Sequence, residues 1–143
     1  MNEFEIAWDD FSRGDFDGFV ERLMRPDSIF VDIGPGIGLA CGAGVRPRLD
    51  MVLHLVMFDR RLRGRESLLK EIIGYFFDKL QLRRVTCVIG EDAKTALKLV
   101  SRLGFVHEGT MRHAILRGGK YIDAQVFGML KEELEWPQSQ QQL

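Results

Sequence analysis

Four arginines and a glycine stand directly before the clearest helical segment of the chain: Arg60, Arg61, Arg63, Gly64 and Arg65. A loop that runs into the first turn of a helix presents unpaired backbone N–H groups, and the helix dipole adds positive potential. A glycine lets the backbone approach a ligand closely. The segment therefore predicts a site for a pyrophosphate. A solvated arginine run is the alternative that these residues alone leave open.

One histidine, His54, interrupts the apolar run from Leu49 to Phe58. Strand alternation places it on one face with Val52, Val56 and Phe58. A neutral imidazole there can accept a proton, directly or through water, from an attacking amine. A hydrogen-bonded core histidine is the alternative.

Other residue types with chemical potential lack the spacing that their chemistry needs. The glycines between residues 34 and 44 fit no Gly-x-Gly-x-x-Gly register, and no helix follows them. The histidines are too scattered for a recognisable metal triad, so no metal is expected. Cys41 and Cys87 lie in separate apolar runs without the signature of a nucleophile, which predicts reduced core thiols.

The first half of the chain reads as a strand, one or two helices and a three-stranded meander. Residues 4–8 predict the strand and residues 8–24 the helical part, which ends before Pro26. A β-hairpin is predicted around Gly34-Pro35-Gly36. The apolar run 49–58 predicts a central strand covered on both faces.

The second half predicts a helix, a strand, a helix and a final hairpin. The wide apolar face of residues 68–80 marks the first helix, and residues 84–89 form a short buried strand. Residues 93–103 form a second helix closed by Gly104. Gly118-Gly119 supplies the tight turn between the last two strands.

Composition indicates an ordinary globular domain. The chain has 143 residues, 45% hydrophobic and 29% charged, and a formal net charge of -1. These values do not favour nucleic acid as a partner, and the longest apolar stretches are too short for a membrane span. We expect a cytoplasmic protein with one domain over residues 1–136 and a disordered glutamine-rich tail over 137–143.

Several segments resemble those of GNAT family N-acetyltransferases, and in particular the branch that acetylates the N-termini of ribosomal proteins. The resemblance rests on Arg61–Glu66 before a helix, on Ala96–Phe105, on Glu108–Arg112 and on Gly119–Asp123. Together with the order of elements, it extends from about Ile29 to Trp136. It implies an α/β (α+β) fold with a mixed, mostly antiparallel sheet flanked by helices.

The resemblance also implies acetyl-CoA as cosubstrate and a primary amine, on a protein N-terminus or a small molecule, as acceptor. In the family, strand 49–58 runs beside the pantetheine arm and splays from the next strand. A strand N–H, such as that of Val56, would then stabilise the oxyanion. The residues implied to bind the coenzyme are Val56, Phe58, Arg61, Leu62, Arg63, Gly64 and Arg65.

Three positions depart from the family pattern. Glu66 stands where the family has a small residue, and its carboxylate would either repel the phosphates or turn into solvent. Ala93 and Val100 occupy the places of the family's Asn and of the Tyr that protonates the departing thiolate. Catalysis would then depend on His54 as base and on Ser101, Tyr121 or water as acid. Ser101 and Tyr121 are also compatible with ordinary roles on a helix surface and in a strand.

Two functions therefore remain in view. The first is an N-acetyltransferase that uses direct transfer, without a covalent enzyme intermediate. The second is a catalytically degenerate GNAT-fold binding or structural module, since short proteins of this kind resemble some encoded by tailed phages and could belong to a phage particle. RNA binding through the arginine run ranks last. The sequence leaves open a homo-oligomer or a larger assembly.

Overall fold

The structure, a computed structural model, describes residues 21, 25–34, 38–57 and 66–134. The predicted first strand, the helical segment 8–24 apart from residue 21, and the tail 137–143 lie outside these residues.

Three antiparallel strands form the first part of the described fold. Strand β1 spans Ile29–Gly34, β2 spans Gly38–Arg46 and β3 spans Asp50–Met57. This confirms the predicted hairpin and meander. The third strand is central in the sheet, as its apolar run predicts, and it carries buried Met51 and Leu53 on one face. The opposite face is only half-buried at Val52 and His54.

The second part follows the predicted order of elements. Its bounds are α1 Glu66–Leu80, β4 Arg84–Gly90, α2 Lys94–Arg102, β5 Val106–Arg117, β6 Lys120–Leu130 and a 3-10 turn Lys131–Glu133. Helix α2 gives way to a turn at Gly104, whose φ of +97° is the left-handed conformation that glycine adopts at low cost. Gly118 and Gly119, at φ +56° and +75°, make the tight turn predicted between β5 and β6.

The sheet has six strands in the order β1-β2-β3-β4-β6-β5. Strands β3 and β4 are parallel and are connected by α1, whereas the other neighbouring strands are antiparallel. This is the mixed, mostly antiparallel sheet that the resemblance implies. Strand β6 lies between β4 and β5, so the last hairpin folds back to continue the sheet from β4.

Both helices pack on one face of the sheet. Cross-strand neighbours Met51, Val85 and Met129 point to that face, because directly opposite residues in a sheet share a side. Each buried side chain of this size stabilises the fold by about 1.5–3 kcal/mol relative to exposure. The helical members of the same core cluster are Leu69, Ile72, Ile73, Phe76, Phe77 and Val100.

Candidate functional site

Strands β3 and β4 separate in the middle of the sheet. In the described structure three residue pairs join them: Asp50 with Arg84, Met51 with Val85, and Val52 with Thr86. Beyond Val52, β3 continues to Met57 while paired with β2. Strand β4 likewise continues to Gly90 while paired with β6. The two strands therefore border a gap that begins after Val52 and Thr86, and we call it the β3–β4 gap.

Backbone groups of β3 line this gap. The carbonyl oxygen of Leu49 accepts a hydrogen bond from the Arg84 N–H at 3.1 Å, so residue 49 faces β4. Backbone groups of successive strand residues point to opposite sides, and the β2–β3 register is continuous from Val52 to Met57. The N–H groups of Leu55 and Met57 therefore face the β3–β4 gap. By the same alternation the Val56 N–H faces β2.

His54 lies on β3 directly opposite Cys41 of β2. The imidazole is half-buried and belongs to the face of the sheet away from α1 and α2, because its neighbours Leu53 and Leu55 point towards the helical core. The Cys41 side chain is fully buried, and burial raises the pKa of its thiol to about 12. A thiol with that pKa is neutral near pH 7, so the pair is not an activated nucleophile and base.

The two positions at which the family places polar groups are buried: Ala93, directly before α2, and Val100 within it. Ala93 is 9% exposed and Val100 is 4% exposed, both within the apolar core. Ser101 is on the exposed side of the helix, and its hydroxyl donates a hydrogen bond to the Leu97 carbonyl at 3.0 Å. The Ser101 hydroxyl is thus engaged by its own helix.

Tyr121 lies on β6 near the hairpin turn. Its side chain is 65% exposed and stacks on His113, with ring centroids 5.8 Å apart and an interplanar angle of 22°. Pairing between β6 and β4 ends where Ala124 faces Gly90, so Tyr121 lies beyond the end of β4. His54 and Tyr121 are on strands that are not neighbours.

Asp123 has a structural contact in the same hairpin. Its Oδ1 accepts a hydrogen bond from the backbone N–H of His113 at 2.9 Å. His113 has φ +50° and lies in the irregular stretch of β5 between Met111 and Ile115. The Asp123 carboxylate therefore stabilises a residue of the bulge that has a positive φ. This contact favours a structural role for Asp123 in the hairpin.

The predicted pyrophosphate segment lies between β3 and α1. Its residues Phe58, Arg61, Leu62, Arg63, Gly64 and Arg65 are outside the described residues. The described structure resumes with Glu66, which begins α1. The Glu66 carboxylate lies 3.8 Å from the Arg102 guanidinium of α2, so it turns towards a cation rather than into solvent.

Two ion pairs between distant segments were not predicted from the sequence. Besides Glu66–Arg102, the buried Arg117 donates to both carboxylate oxygens of Asp92, each at 2.5 Å, and so connects the end of β5 to the loop after β4. The partners in each pair are far apart along the chain, and no local motif joins them. Only the folded arrangement brings them together.

Within the described ranges, no group of three or more His, Cys, Asp or Glu side chains could hold a metal ion. None of the helices described is long and apolar enough to cross a membrane.

The chain has sequence relatives among bacterial N-acetyltransferases, although no family model matches it. It is 30% identical over 85 residues to the SPbeta prophage-derived uncharacterized N-acetyltransferase YokL of Bacillus subtilis, covering 57% of this chain and 48% of that protein. It is also 30% identical over 90 residues to the L-amino acid N-acetyltransferase AaaT of Escherichia coli, covering 60% and 56%. The matched region thus spans about half the length of these relatives.

Solved structures of acetyltransferases share its fold. Spermidine N-acetyltransferase from Vibrio cholerae, in complex with CoA and spermine, superposes with a TM-score of 0.68 at 16% identity, over 91% of this chain and 90% of that one. Ribosomal-protein-S5-alanine acetyltransferase from Vibrio fischeri gives a TM-score of 0.64 at 15% identity, over 85% and 72%. The chain therefore has the GNAT fold and N-acetyltransferases as its sequence relatives, which confirms the family resemblance read from its motifs.

Proposed function

We propose that the chain is an acetyl-CoA-dependent N-acetyltransferase that transfers an acetyl group directly to a primary amine. The observation that carries the proposal is the β3–β4 gap beyond Val52 and Thr86. A gap inside a sheet leaves strong backbone donors and acceptors that need partners. The pantetheine arm of coenzyme A carries amide groups that can supply them. The CoA complex of the Vibrio cholerae structure with the same fold supports this choice of ligand.

The proposed pyrophosphate site continues from the same strand. Strand β3 ends at Met57 and α1 begins at Glu66, so the segment with Arg61 and Gly64 connects the gap to a helix N-terminus. Positive charge and free N–H groups at such a junction favour phosphate binding. Phe58, Leu62, Arg63 and Arg65 belong to the same proposed coenzyme site.

The reaction needs a stabilised oxyanion on the thioester carbonyl. We place this role on the N–H of Leu55 or Met57, which the strand alternation directs into the gap, rather than on that of Val56. As the amine nitrogen bonds to the carbonyl carbon, negative charge develops on the carbonyl oxygen, and collapse of the adduct breaks the C–S bond. Holding both reactants in one cleft supplies much of the acceleration.

Two protons move during the transfer. His54 of β3, or a water beside it, takes the proton of the attacking amine. The departing thiolate then takes a proton from water, because Val100 is buried where the family has a tyrosine and the Ser101 hydroxyl is bonded to the Leu97 carbonyl. Tyr121 is exposed beyond the end of β4, which makes it a weaker candidate for this acid.

The acceptor is proposed to be a primary amine of a small molecule or of a protein N-terminus. Names of the related proteins include enzymes for spermidine, for L-amino acids and for the alanine of ribosomal protein S5. They share an amine as acceptor and differ in its carrier. These relatives thus support an amine as the acceptor and do not favour one carrier of that amine over another.

A GNAT-fold binding module without turnover is the second candidate. It is favoured by the burial of Ala93 and Val100, which leaves α2 without the family's polar pair. Such a module would bind the coenzyme and release no thiol. Loss of a general acid lowers the rate by about two to four powers of ten and so leaves a slow reaction. Measured turnover therefore separates a slow enzyme from a binding module, which has no turnover.

Thermal unfolding with and without acetyl-CoA tests the proposal first. At a hundredfold excess over the dissociation constant, a ligand that binds the folded state alone stabilises it by about 2.7 kcal/mol. ATP at the same concentration is the control for unspecific phosphate binding. A stabilisation by acetyl-CoA alone is expected, and its absence would contradict the coenzyme site.

Release of free thiol with a panel of amines tests turnover. Polyamines, L-amino acids and peptides with free N-termini are the acceptors, and acetyl-CoA without amine is the control. We expect amine-dependent thiol release with at least one class. Binding without any release would favour the second candidate.

A further inference from the structure

The ion pair between Glu66 and Arg102 joins the first residue of α1 to the last residue of α2. Arg102 Nη1 lies 3.8 Å from Glu66 Oε1, and the two side chains are 64% and 34% exposed. Exposed pairs at such distances contribute little to stability, because water and salt screen the charges. The contact is therefore weak and open to exchange with another anion.

A surface cavity adjoins the same arginine. It has a volume of about 340 Å³ and is lined by Lys70, Arg102, Leu103, Gly104 and Glu133. Lys70 is one helical turn after Glu66, so both side chains lie on the same side of α1. The Glu133 carboxylate accepts a hydrogen bond from the Leu130 N–H at 2.8 Å and so is satisfied by the backbone. The lining side chains thus carry two positive charges, on Lys70 and Arg102, against one negative charge on Glu133, and this excess of positive charge suits a phosphate.

We propose that Arg102 binds a phosphate group of acetyl-CoA, with Lys70 beside it, and that Glu66 is an internal anion that competes for Arg102 when the coenzyme is absent. The inference rests on the proposed function. Glu66 begins the helix at which the pyrophosphate is expected, and the pyrophosphate as a whole carries about two negative charges against one on the carboxylate. Binding then replaces the Glu66–Arg102 contact by a phosphate–Arg102 contact, which guanidinium geometry favours.

The opposite signs of two substitutions test this proposal. Loss of a charged hydrogen bond predicts that Arg102→Gln weakens the affinity for acetyl-CoA about tenfold or more. Loss of a competing negative charge at a helix N-terminus predicts that Glu66→Gln strengthens it about two- to fivefold. Arg112→Gln, which removes an exposed guanidinium from the edge strand β5, is the matched control and should leave the affinity within about twofold.

Titration calorimetry of the full chain gives the dissociation constants, and the thermal unfolding of each free variant is recorded alongside. If the pair only clamps α1 to α2, both substitutions shift affinity in the same direction or not at all, and the proposal is overturned. If the wild type does not bind acetyl-CoA, the proposed function itself fails. The titrations are repeated with acetyl-dephospho-CoA, which lacks the 3′-phosphate. If Arg102→Gln then no longer changes the affinity, Arg102 acts on the 3′-phosphate. If the change in affinity persists, Arg102 acts on the pyrophosphate.

Discussion

Val52 and Thr86 form the last residue pair between the parallel strands β3 and β4, beyond which each strand continues with a different neighbour. Regular strand pairing thus continues on both sides of the β3–β4 gap, so the gap is part of the fold and not a frayed strand end. Both helices pack on one face of the sheet and hold the two strands in one core. This arrangement can receive an extended ligand between the strands.

His54 is expected to act as the proton acceptor of the transfer. His54→Ala should lower kcat about 100-fold or more with amine in excess, because a positioned base contributes about two to four powers of ten. The dissociation constant for acetyl-CoA should change little. Steady-state thiol release and calorimetry measure the two effects separately. Full activity in the variant would exclude His54 from the mechanism.

Asp50 is predicted to make stability depend on acidic pH. Arg46 closes the β2–β3 turn with two hydrogen bonds to the Asp50 carboxylate, at 2.7 Å and 2.5 Å. These bonds from Arg46 hold the pKa of Asp50 below its usual value. A depressed pKa in the folded state contributes stability above the unfolded pKa of about 3.9, and this contribution is lost as pH falls through the folded pKa.

Asp50→Asn should therefore destabilise the protein by about 0.5–1 kcal/mol near pH 7 and by less at lower pH. Urea unfolding of wild type and variant between pH 3 and pH 7 measures the difference. A constant difference over that range would show that the charge of Asp50 is not what stabilises the turn.

Both cysteines are predicted to be inert in the folded protein. Burial raises the pKa of the Cys41 and Cys87 thiols to about 12, and both are free. A neutral buried thiol reacts slowly, whereas an unfolded one has a pKa of about 8.5. Labelling with a thiol reagent at pH 8 should proceed at the rate of unfolding, and denaturant should expose both groups at once.

This also argues against a covalent acetyl-cysteine intermediate. Mass spectrometry of the protein after incubation with acetyl-CoA should find neither cysteine acetylated. A stable acetyl-thioester at either residue would contradict direct transfer.

Gly128 is predicted to be required for the ion pair between Arg84 and Glu108. A Cβ at this position would lie 2.5 Å from both Arg84 Nη2 and Glu108 Oε1. These atoms are the ends of flexible side chains that now meet across β6 at 2.5 Å. Gly128→Ala should push the pair apart and cost about 0.5–2 kcal/mol.

The cost of Gly128→Ala should shrink when Arg84→Ala and Glu108→Ala are already present, because the clash is then removed. Denaturant unfolding of the single, double and triple variants forms the required cycle. Equal costs in both backgrounds would place the strain elsewhere.

Local sequence patterns predicted most of the described elements. The apolar spacing of α1 and the Gly118-Gly119 turn act over a few residues, so their structural effect can be read without the fold. The β3 bounds differ from the predicted 49–58 at the first residue, because Leu49 lies in the turn and its carbonyl accepts from Arg83 and Arg84.

Contacts between distant segments could not be predicted in the same way. The turning of Glu66 towards Arg102 depends on how α1 and α2 pack, and neither residue has a local signal for the other. The direction of the Val56 N–H depends on which strand residue first pairs with β4, which only the register defines. The point at which β3 and β4 separate is likewise a property of the whole sheet.

Residue-resolved amide hydrogen exchange with and without acetyl-CoA tests the central claim most directly. In the free protein the Val56 amide should exchange slowly, because it faces β2, whereas the Leu55 and Met57 amides should exchange faster, because they face the β3–β4 gap. Acetyl-CoA is predicted to slow exchange at Leu55 and Met57 by at least about tenfold while Arg112 on β5 stays unchanged. Unchanged exchange at Leu55 and Met57 under saturating acetyl-CoA would contradict binding in the gap.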